Sequence, residues 1–220
     1  MSDFDIWLSP PDLSGNERKY VSDVFDSNWI APAGPHINKF ENKLALFLKS
    51  KNVVALSSGT AAIHLSLQIL GVKRGDFVIC QSLTFVGSAN PILYCNAEPI
   101  FIDSETETWN MCPLLLEKAI NDSLKINKKP KAIILVHLYG MPAKINEIKE
   151  ISKKYEIPLI EDAAEALGSN YDGIPLGTIG DFGILSFNGN KIITTSGGGA
   201  LISGSLEYIK RAKFLSNQAK

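Results

Sequence analysis

The chain has 220 residues, of which 45% are hydrophobic and 20% are charged, and its net charge is −1. This composition is typical of a globular protein with a sizeable core, and a near-neutral charge argues against a nucleic-acid partner. Met1–Pro11 lacks the basic start and apolar run of a secretory signal, and no apolar stretch approaches the roughly 20 residues that cross a bilayer. We therefore predict a cytoplasmic protein with no membrane partner.

Short apolar runs alternate with amphipathic stretches along the chain. The predicted strands are Val53–Leu56, Phe77–Cys80, Ile100–Asp103, Ala132–His137, Pro158–Glu161, Gly183–Phe187 and Ala200–Ser203. The predicted helices are Ile37–Leu48, Thr60–Leu70, Val86–Tyr94, Leu114–Leu124 and Ile145–Tyr155. This alternation predicts an α/β fold with a mainly parallel sheet covered on both faces by helices. The final LEYIKRAKFLSNQAK begins a helix without a completing element, so we expect the chain to be incomplete at its C-terminal end.

The three cysteines, Cys80, Cys95 and Cys112, are odd in number and lack the spacing of a disulfide framework or a zinc site. We interpret them as reduced thiols, with Cys80 buried in a strand, and we predict no metal site.

In open α/β sheets, ligands bind beyond the carboxyl ends of the strands, so the residues that follow each strand are the candidates for a functional site. The first predicted strand is followed by SSGTAAIHLSLQIL, a predicted helix start. Free N–H groups at such a start hold phosphate, Gly59 permits close approach, and Ser58 and Thr60 add hydroxyl groups. The alternative is that Ser58 is only an N-cap.

Two further strand ends carry candidate ligand-binding residues. Phe85 follows the second strand, early in the next predicted helix, where an aromatic ring could lie flat on a planar cofactor; the alternative is a core residue. Asp162 ends a buried strand, where a carboxylate needs a cationic partner such as a protonated pyridine nitrogen. Glu165 lies about one helical turn further on and could face the same ligand. The alternative here is a capping box formed by Asp162 and Glu165.

Lys191 follows another strand through the turn-forming tripeptide NGN. A lysine that bonds covalently to a carbonyl must lose its proton easily, and burial or a nearby cation promotes this loss. Ser186, five residues upstream, could hold a phosphate, and the glycines 197–199 permit close backbone approach. A phosphate cradle, an aromatic plate, a carboxylate and a lysine at one sheet edge together predict a pyridoxal phosphate site.

The motifs SSGTAAIHL, TFVGSAN, HLYG, EDAAEALGS, GDFG and SFNGNKIITTSGGGA resemble, in the same order, those of the DegT/DnrJ/EryC1/StrS family. The resemblance extends from SNWIAPAGPHINKFE to the end of the chain. It implies the large domain of a fold-type I, pyridoxal-phosphate-dependent sugar aminotransferase. It also implies a homodimer with shared active sites. On this basis we expect an N-terminal arm and substrate-side loop over residues 1–35 and a cofactor-binding large domain over residues 36–220, without the family's smaller C-terminal domain.

The resemblance implies a role for each candidate residue. Lys191 would bond to the cofactor and then move the proton between the two carbons of the transamination. Asp162 would pair with the pyridine nitrogen, Phe85 would stack on the ring, and Glu165 takes a position that is often Gln, near the phenolic oxygen. A carboxylate at that position must be protonated or accept a bond from a protonated partner. The residues implied around the phosphate are Ser58, Gly59, Thr60, Ala61 and Ser186.

Within the family, SNWIAPAG, EDAAEALGS and NGNKIITTSGGG are most similar to enzymes that aminate C4 of UDP-4-keto-6-deoxy-N-acetylglucosamine with glutamate as donor, for bacterial glycan synthesis. Trp29 and Ile30 would lie in the substrate-side loop. Three alternatives remain at this point. One is an aminotransferase like GDP-perosamine synthase, and one is an inactive, truncated relative that serves as a binding domain. The third is a dehydratase of the same fold, which Lys191 disfavours because those variants carry histidine there.

Overall fold

The computed structural model describes residues 6, 9–50 and 52–217. The helices are α1 Glu17–Asp26, α2 Pro35–Phe47, α3 Gly59–Ile69, α4 Asn90–Tyr94, α5 Pro113–Lys125, α6 Ile145–Tyr155 and α7 Leu206–Ser216, with a 3₁₀ turn at Leu138–Gly140. The strands are β1 Val53–Leu56, β2 Phe77–Gln81, β3 Glu98–Ile102, β4 Ala132–Val136, β5 Leu159–Asp162, β6 Asn170–Tyr171, β7 Ile174–Pro175, β8 Phe182–Ser186 and β9 Gly199–Ile202. None of the helices in the described ranges is long and apolar enough to cross a membrane.

Seven strands form one sheet in the order β1-β9-β8-β5-β4-β2-β3, and β6 pairs with β7 in a separate small hairpin. Strand β9 is antiparallel to both of its neighbours, whereas the other neighbouring pairs are parallel. Six strands therefore end at one side of the sheet, which we call the carboxyl edge. Loops that are far apart in sequence meet there, as the strand-end rule requires.

Helices cover both faces of the sheet because side chains alternate along each strand. On one face, Val78 and Cys80 pack in a buried cluster with residues of α3 and α7. On the other face, Ile79 packs in a second cluster with residues of α5 and α6. A third cluster joins α2 to the β1, β8 and β9 side of the sheet. The prediction of an α/β fold with a mainly parallel sheet between helices is confirmed.

The predicted strands agree with the observed ones to within one or two residues, and the prediction of α6 is confirmed at both ends. The predicted helix Val86–Tyr94 is wrong in its first turn, since α4 begins only at Asn90, one residue before Pro91. Residues 82–84 bend and residues 86–89 form turns, and the Ser88 N–H donates to the Phe85 carbonyl. Phe85 therefore lies in a turn, not in a helix.

Helix α1 and the β6–β7 hairpin were not predicted. None of the residues of α1 is buried, so the helix lacks the apolar core stripe from which helices are recognised. Its start has a local signal, because Glu17 accepts hydrogen bonds from both the backbone N–H and the hydroxyl of Ser14, at 2.8 Å each. These bonds satisfy donors ahead of the helix, much as a capping box does.

Candidate active site

The start of α3 forms an anion-binding cradle at the carboxyl edge. Ser58 is the N-cap, and its hydroxyl oxygen accepts the Ala61 N–H at 3.0 Å. Within the described ranges, the N–H groups of Gly59 and Thr60 donate to no protein acceptor. A methyl group at Gly59 would come within 3.3 Å of Ser186 Cβ, so the end of β8 lies directly beside these free donors. The N-cap and phosphate interpretations are compatible, because capping leaves two N–H groups free.

Gly199 is required for the cradle to form. It begins β9 and pairs with both Leu56 and Ser186, so it lies against the peptide that joins Ser58 to Gly59. A methyl group at this position would collide with the Ser58 carbonyl group and the Gly59 nitrogen. Gly197, in contrast, has open space around it, so only part of the predicted glycine run is needed for close approach.

Asp162 ends β5 and is a buried residue, 6% exposed. Its Oδ1 accepts the Ala164 N–H at 3.2 Å, and its Oδ2 accepts the Ser88 hydroxyl at 2.6 Å. Burial raises the pKa of Asp162, while these two hydrogen bonds and the nearby Lys191 ammonium act in the opposite direction. A cation placed against this carboxylate would relieve the cost of its buried charge.

Lys191 lies on the loop between β8 and β9, where its N–H donates to the Asn188 carbonyl. Its Nζ is 3.2 Å from Glu165 Oε1, and the Lys191 side chain is only 13% exposed. The other oxygen of Glu165 accepts the Tyr139 N–H at 3.0 Å. Tyr139 has a φ of +51°, and a methyl group at the following Gly140 would lie 2.9 Å from the Glu165 carbonyl oxygen. The tight turn after β4 therefore holds Glu165 beside the lysine.

The capping alternative for Asp162 and Glu165 is wrong. Residues 163–169 form turns, and no helix starts there. Glu165 instead accepts from the Lys191 ammonium and the Tyr139 N–H. A carboxylate at this position was expected either to be protonated or to accept a hydrogen bond from a protonated partner. The structure shows the second arrangement, with Lys191 as the partner.

Phe85 presents its ring at the carboxyl edge with 73% of its surface exposed, so the alternative of a core residue is wrong. Gly87 lies between this ring and the cradle. A methyl group at Gly87 would be 2.9 Å from both Phe85 Cδ1 and Thr60 Oγ1. An exposed aromatic ring therefore flanks the free N–H groups of α3.

Trp29 and Ile30, predicted on the substrate side, lie between α1 and α2 and are 51% and 61% exposed. Trp29 packs on Gly34, where a methyl group would lie 2.9 Å from Trp29 Cε3. In the part of the chain that the structure describes, no hydrogen bond or ion pair joins either residue to Lys191 or Asp162. Their assignment to substrate binding stays a prediction.

A buried pair behind the site, His137 with Glu161, was not assigned to it from the sequence. Both side chains are fully buried, with His137 Nε2 3.0 Å from Glu161 Oε2. His137 Nδ1 accepts the Ala143 N–H, so the proton of the neutral ring is on Nε2 and is donated to the carboxylate. Glu161 also accepts three backbone N–H groups, those of Gly177, Ile179 and Gly180. Because side chains alternate along β5, Glu161 and Asp162 lie on opposite faces of the sheet, and the hydrogen bonds of Glu161 tie β5 to residues 177–180.

Ser88 and Thr84 were also missed. The Ser88 hydroxyl donates to Asp162, and Thr84 Oγ1 is 2.8 Å from Ser88 Oγ. The signal in the sequence was the pair of hydroxyl residues in TFVGSAN, which flank Phe85 on the loop after β2.

These residues together offer a free-amide cradle for an anion, an exposed ring, a buried carboxylate in need of a cation and a lysine amine. They fit a flat, phosphorylated, protonated pyridine that carries an aldehyde. The fit rests on the unpaired N–H groups at Gly59 and Thr60 and on the raised pKa of Asp162.

Comparison with known proteins agrees with this interpretation. Residues 11–220 match the DegT/DnrJ/EryC1/StrS aminotransferase family. Over 98% of the chain, the sequence is 56% identical to EpsN of Bacillus subtilis (strain 168), which is assigned as a pyridoxal phosphate-dependent aminotransferase. It is 43% identical over 94% of the chain to GDP-perosamine synthase of Escherichia coli O157:H7. The chain spans 55% and 56% of the length of these two relatives.

Solved structures give the same result. Spr1654 of Streptococcus pneumoniae, assigned as a sugar aminotransferase, superposes in its PMP form with a TM-score of 0.88 at 33% identity. The alignment covers 97% of this chain and 57% of Spr1654, and a PLP form of the same protein matches equally well. These comparisons confirm the fold predicted from the resemblance. They also confirm that the family which the chain matches consists of aminotransferases, with pyridoxal phosphate as the cofactor. The chain belongs to the DegT/DnrJ/EryC1/StrS aminotransferase family.

Proposed function

We propose that this protein uses pyridoxal phosphate to transfer an amino group from glutamate to C4 of a nucleotide-linked 4-keto-6-deoxy sugar. The observation that carries the proposal is the Lys191 amine, 13% exposed and 3.2 Å from Glu165 Oε1, at the same edge as the buried Asp162 carboxylate. When bound, the cofactor supplies an aldehyde that accepts the amino group and a ring that withdraws electrons.

Each residue has a defined part in this proposal. The Gly59 and Thr60 N–H groups, with the nearby hydroxyls of Ser58 and Ser186, bind the phosphate and so fix one end of the cofactor. Phe85 covers a face of the ring and keeps water from it. Asp162 holds a proton on the ring nitrogen, because an anion buried there is stabilised by an adjacent cation.

Lys191 would hold the cofactor through its neutral amine, which condenses with the aldehyde as water leaves, and the freed amine would later carry a proton between the two reacting carbons. Glu165 holds the lysine ammonium in place before it is deprotonated, and the Tyr139 N–H keeps the other Glu165 oxygen oriented. Once Lys191 is neutral, the Glu165 carboxylate would be free to accept a hydrogen bond from a hydroxyl group of the bound cofactor. Lys191 and Glu165 therefore work as a pair in proton movement.

For the substrate, we propose UDP-4-keto-6-deoxy-N-acetylglucosamine, with Trp29 and Ile30 on its side of the site. The motifs that carry the resemblance favour this sugar, and the 56% identity to EpsN supports a sugar aminotransferase more broadly. A GDP-linked keto sugar is the second candidate, which the 43% identity to GDP-perosamine synthase favours.

Replacing Lys191 with alanine tests the proposal directly. We expect the wild-type protein to develop a visible absorption band when mixed with pyridoxal phosphate, because the lysine amine bonds to the aldehyde. Lys191→Ala should develop no such band and should lose turnover by a factor on the order of 10²–10⁴ or more. The measurements are an absorption titration and amino transfer from glutamate to each of the two keto sugars.

Two variants control this experiment. Lys191→Arg keeps a cation beside Glu165 but cannot form the covalent bond, so it should also lack the band. Lys210→Ala removes an exposed lysine on α7 and should behave as wild type. A wild-type protein without the band contradicts the proposal, and a band without turnover on either sugar leaves cofactor binding but rejects the transferase activity.

We also propose that two copies of the chain form a homodimer with shared active sites. Large apolar side chains are exposed on α1 and around the carboxyl edge, among them Tyr20, Phe25, Tyr139, Ile192 and Ile193. Such patches mark association surfaces in soluble proteins. Residues 1–35 then serve as the arm and substrate-side loop, and residues 36–220 as the cofactor-binding domain.

Sedimentation velocity tests the homodimer. We expect the mass of two chains, because the exposed Phe25 and its neighbours on α1 would gain burial in an assembly. Phe25→Glu should shift the mass towards one chain, whereas Glu150→Ala, on the exposed side of α6, should not. A wild-type protein that sediments as a single chain at all concentrations contradicts the prediction.

A further inference from the structure

The loop after β2 carries a hydroxyl pair that is directed at Asp162. Ser88 is 1% exposed and its Oγ lies 2.6 Å from Asp162 Oδ2. Thr84 Oγ1 lies 2.8 Å from Ser88 Oγ, four residues earlier on the same turn. The loop that presents Phe85 to the edge therefore also reaches the carboxylate behind it.

The direction of these hydrogen bonds follows from chemistry. A carboxylate oxygen only accepts, so the single hydroxyl proton of Ser88 is donated to Asp162. The Ser88 oxygen is then free to accept, and Thr84 donates to it. Each bond in such a chain polarises the next, and a bond to a charged group is stronger than one between neutral groups.

The contact between Ser88 and Asp162 counters the effect of burial on the Asp162 carboxylate. Burial raises the pKa of Asp162, which opposes the anionic form that pairs with a pyridinium ring. The Ser88 hydroxyl stabilises the anion and fixes the plane of the carboxylate. The Ala164 N–H donates to the other oxygen at 3.2 Å, so a hydrogen bond orients each oxygen of the Asp162 carboxylate.

We infer that Ser88, supported by Thr84, is a positioning residue that keeps Asp162 ionised and aligned for the ring nitrogen of the cofactor. The inference rests on the proposed function, because it concerns the same cofactor. It adds two residues from the turn after β2, so that one loop sets both the stacking ring and the charge partner of the ring nitrogen.

The test compares two ligands that differ only at the ring nitrogen. Pyridoxal phosphate carries this nitrogen, and its carbocyclic analogue, deazapyridoxal phosphate, has a C–H group in its place. We expect Ser88→Ala to weaken binding of pyridoxal phosphate roughly tenfold, which is the effect of losing a hydrogen bond to a charged group. Binding of the deaza analogue should change little, because it cannot pair with the carboxylate. Thr84→Val should act in the same direction with a smaller effect.

A matched control removes a different buried hydroxyl. The Ser66 hydroxyl donates to the Ala62 carbonyl within α3 at 2.9 Å, away from Asp162. Ser66→Ala should leave the affinity ratio of the two ligands at the wild-type value even if it lowers the unfolding midpoint. Circular dichroism confirms that each variant is folded before titration.

The outcomes separate this inference from the proposed function. If the wild-type protein binds neither ligand, the proposed function fails and the inference fails with it. If the wild type binds both but Ser88→Ala weakens both equally, Ser88 has only a structural role and the inference alone is overturned. An unchanged affinity for both ligands overturns it as well. A loss confined to pyridoxal phosphate supports it.

Discussion

Replacing Glu161 with alanine is expected to destabilise the fold more than any other single carboxylate change. The side chain is fully buried, and it accepts from His137 and from the N–H groups of Gly177, Ile179 and Gly180. Removing it leaves four donors without an acceptor, of which those of His137 and Gly177 are buried and those of Ile179 and Gly180 are partly buried. Loss of one partner of a buried, hydrogen-bonded pair costs about 3–5 kcal/mol, a large share of a total stability of about 5–15 kcal/mol.

Urea unfolding of Glu161→Ala and two matched variants measures this effect. Glu161→Gln keeps the shape and one acceptor oxygen, so we expect an intermediate loss. Glu150→Ala removes an exposed glutamate from α6 and should change the free energy of unfolding by about 0.5 kcal/mol or less. If Glu161→Ala unfolds at the wild-type midpoint, the brace between β5 and residues 177–180 has no energetic importance.

The strands could be predicted from the sequence because buried parallel strands are continuous apolar runs of defined length. The same feature placed Ser58, Asp162, Ser186 and Lys191 near one edge, since these residues follow or end such runs. Local pattern was insufficient where the outcome depends on partners from elsewhere in the chain. Residues 86–89 have helical periodicity, yet they form turns that carry Ser88 to Asp162, 74 residues away in sequence.

The difference between Glu161 and Asp162 illustrates the same limit. The two adjacent acids look equivalent in the sequence, and both end a buried strand. Alternation along β5 sends one to a buried histidine and three backbone N–H groups, and the other to the edge of the sheet. His137, 24 residues away, has no local signature as the partner of Glu161. Contacts between residues far apart in the sequence decide which of the two acids is structural, and a short stretch of sequence does not contain them.

Replacing Asp162 with asparagine is expected to reduce turnover strongly while making the cofactor-free protein more stable at neutral pH. Loss of a single preorganised charge contact to the reacting group costs on the order of 10²–10³ in rate. The gain in stability follows from the pKa of Asp162, which burial raises above its ordinary value. An acid with a raised pKa makes its full contribution to stability below its unfolded-state pKa, and this contribution is lost as the pH rises through the folded-state value.

The pH dependence of this change in stability provides a test that does not rely on activity. Above the folded-state pKa, wild type carries a buried anion among Lys191, His137 and the Cys80 thiol, whereas the amide of Asp162→Asn carries no charge. The difference in unfolding free energy between variant and wild type should therefore grow as the pH rises, and its pH-dependent part should vanish in acid. Asp23→Asn, on the exposed α1, should show no such trend. An Asp162→Asn variant less stable than wild type at neutral pH contradicts this prediction.

Pyridoxal phosphate should reverse the order of stability. A ligand stabilises the folded state according to its affinity, and only the wild-type carboxylate can pair with a protonated ring nitrogen. We therefore expect the cofactor to raise the unfolding midpoint of wild type more than that of Asp162→Asn. Asp162 then destabilises the empty fold in a way that the bound cofactor offsets, which is why a buried acid with a raised pKa can stand at the end of β5. Equal shifts in both proteins would mean that the carboxylate does not contact the ring nitrogen.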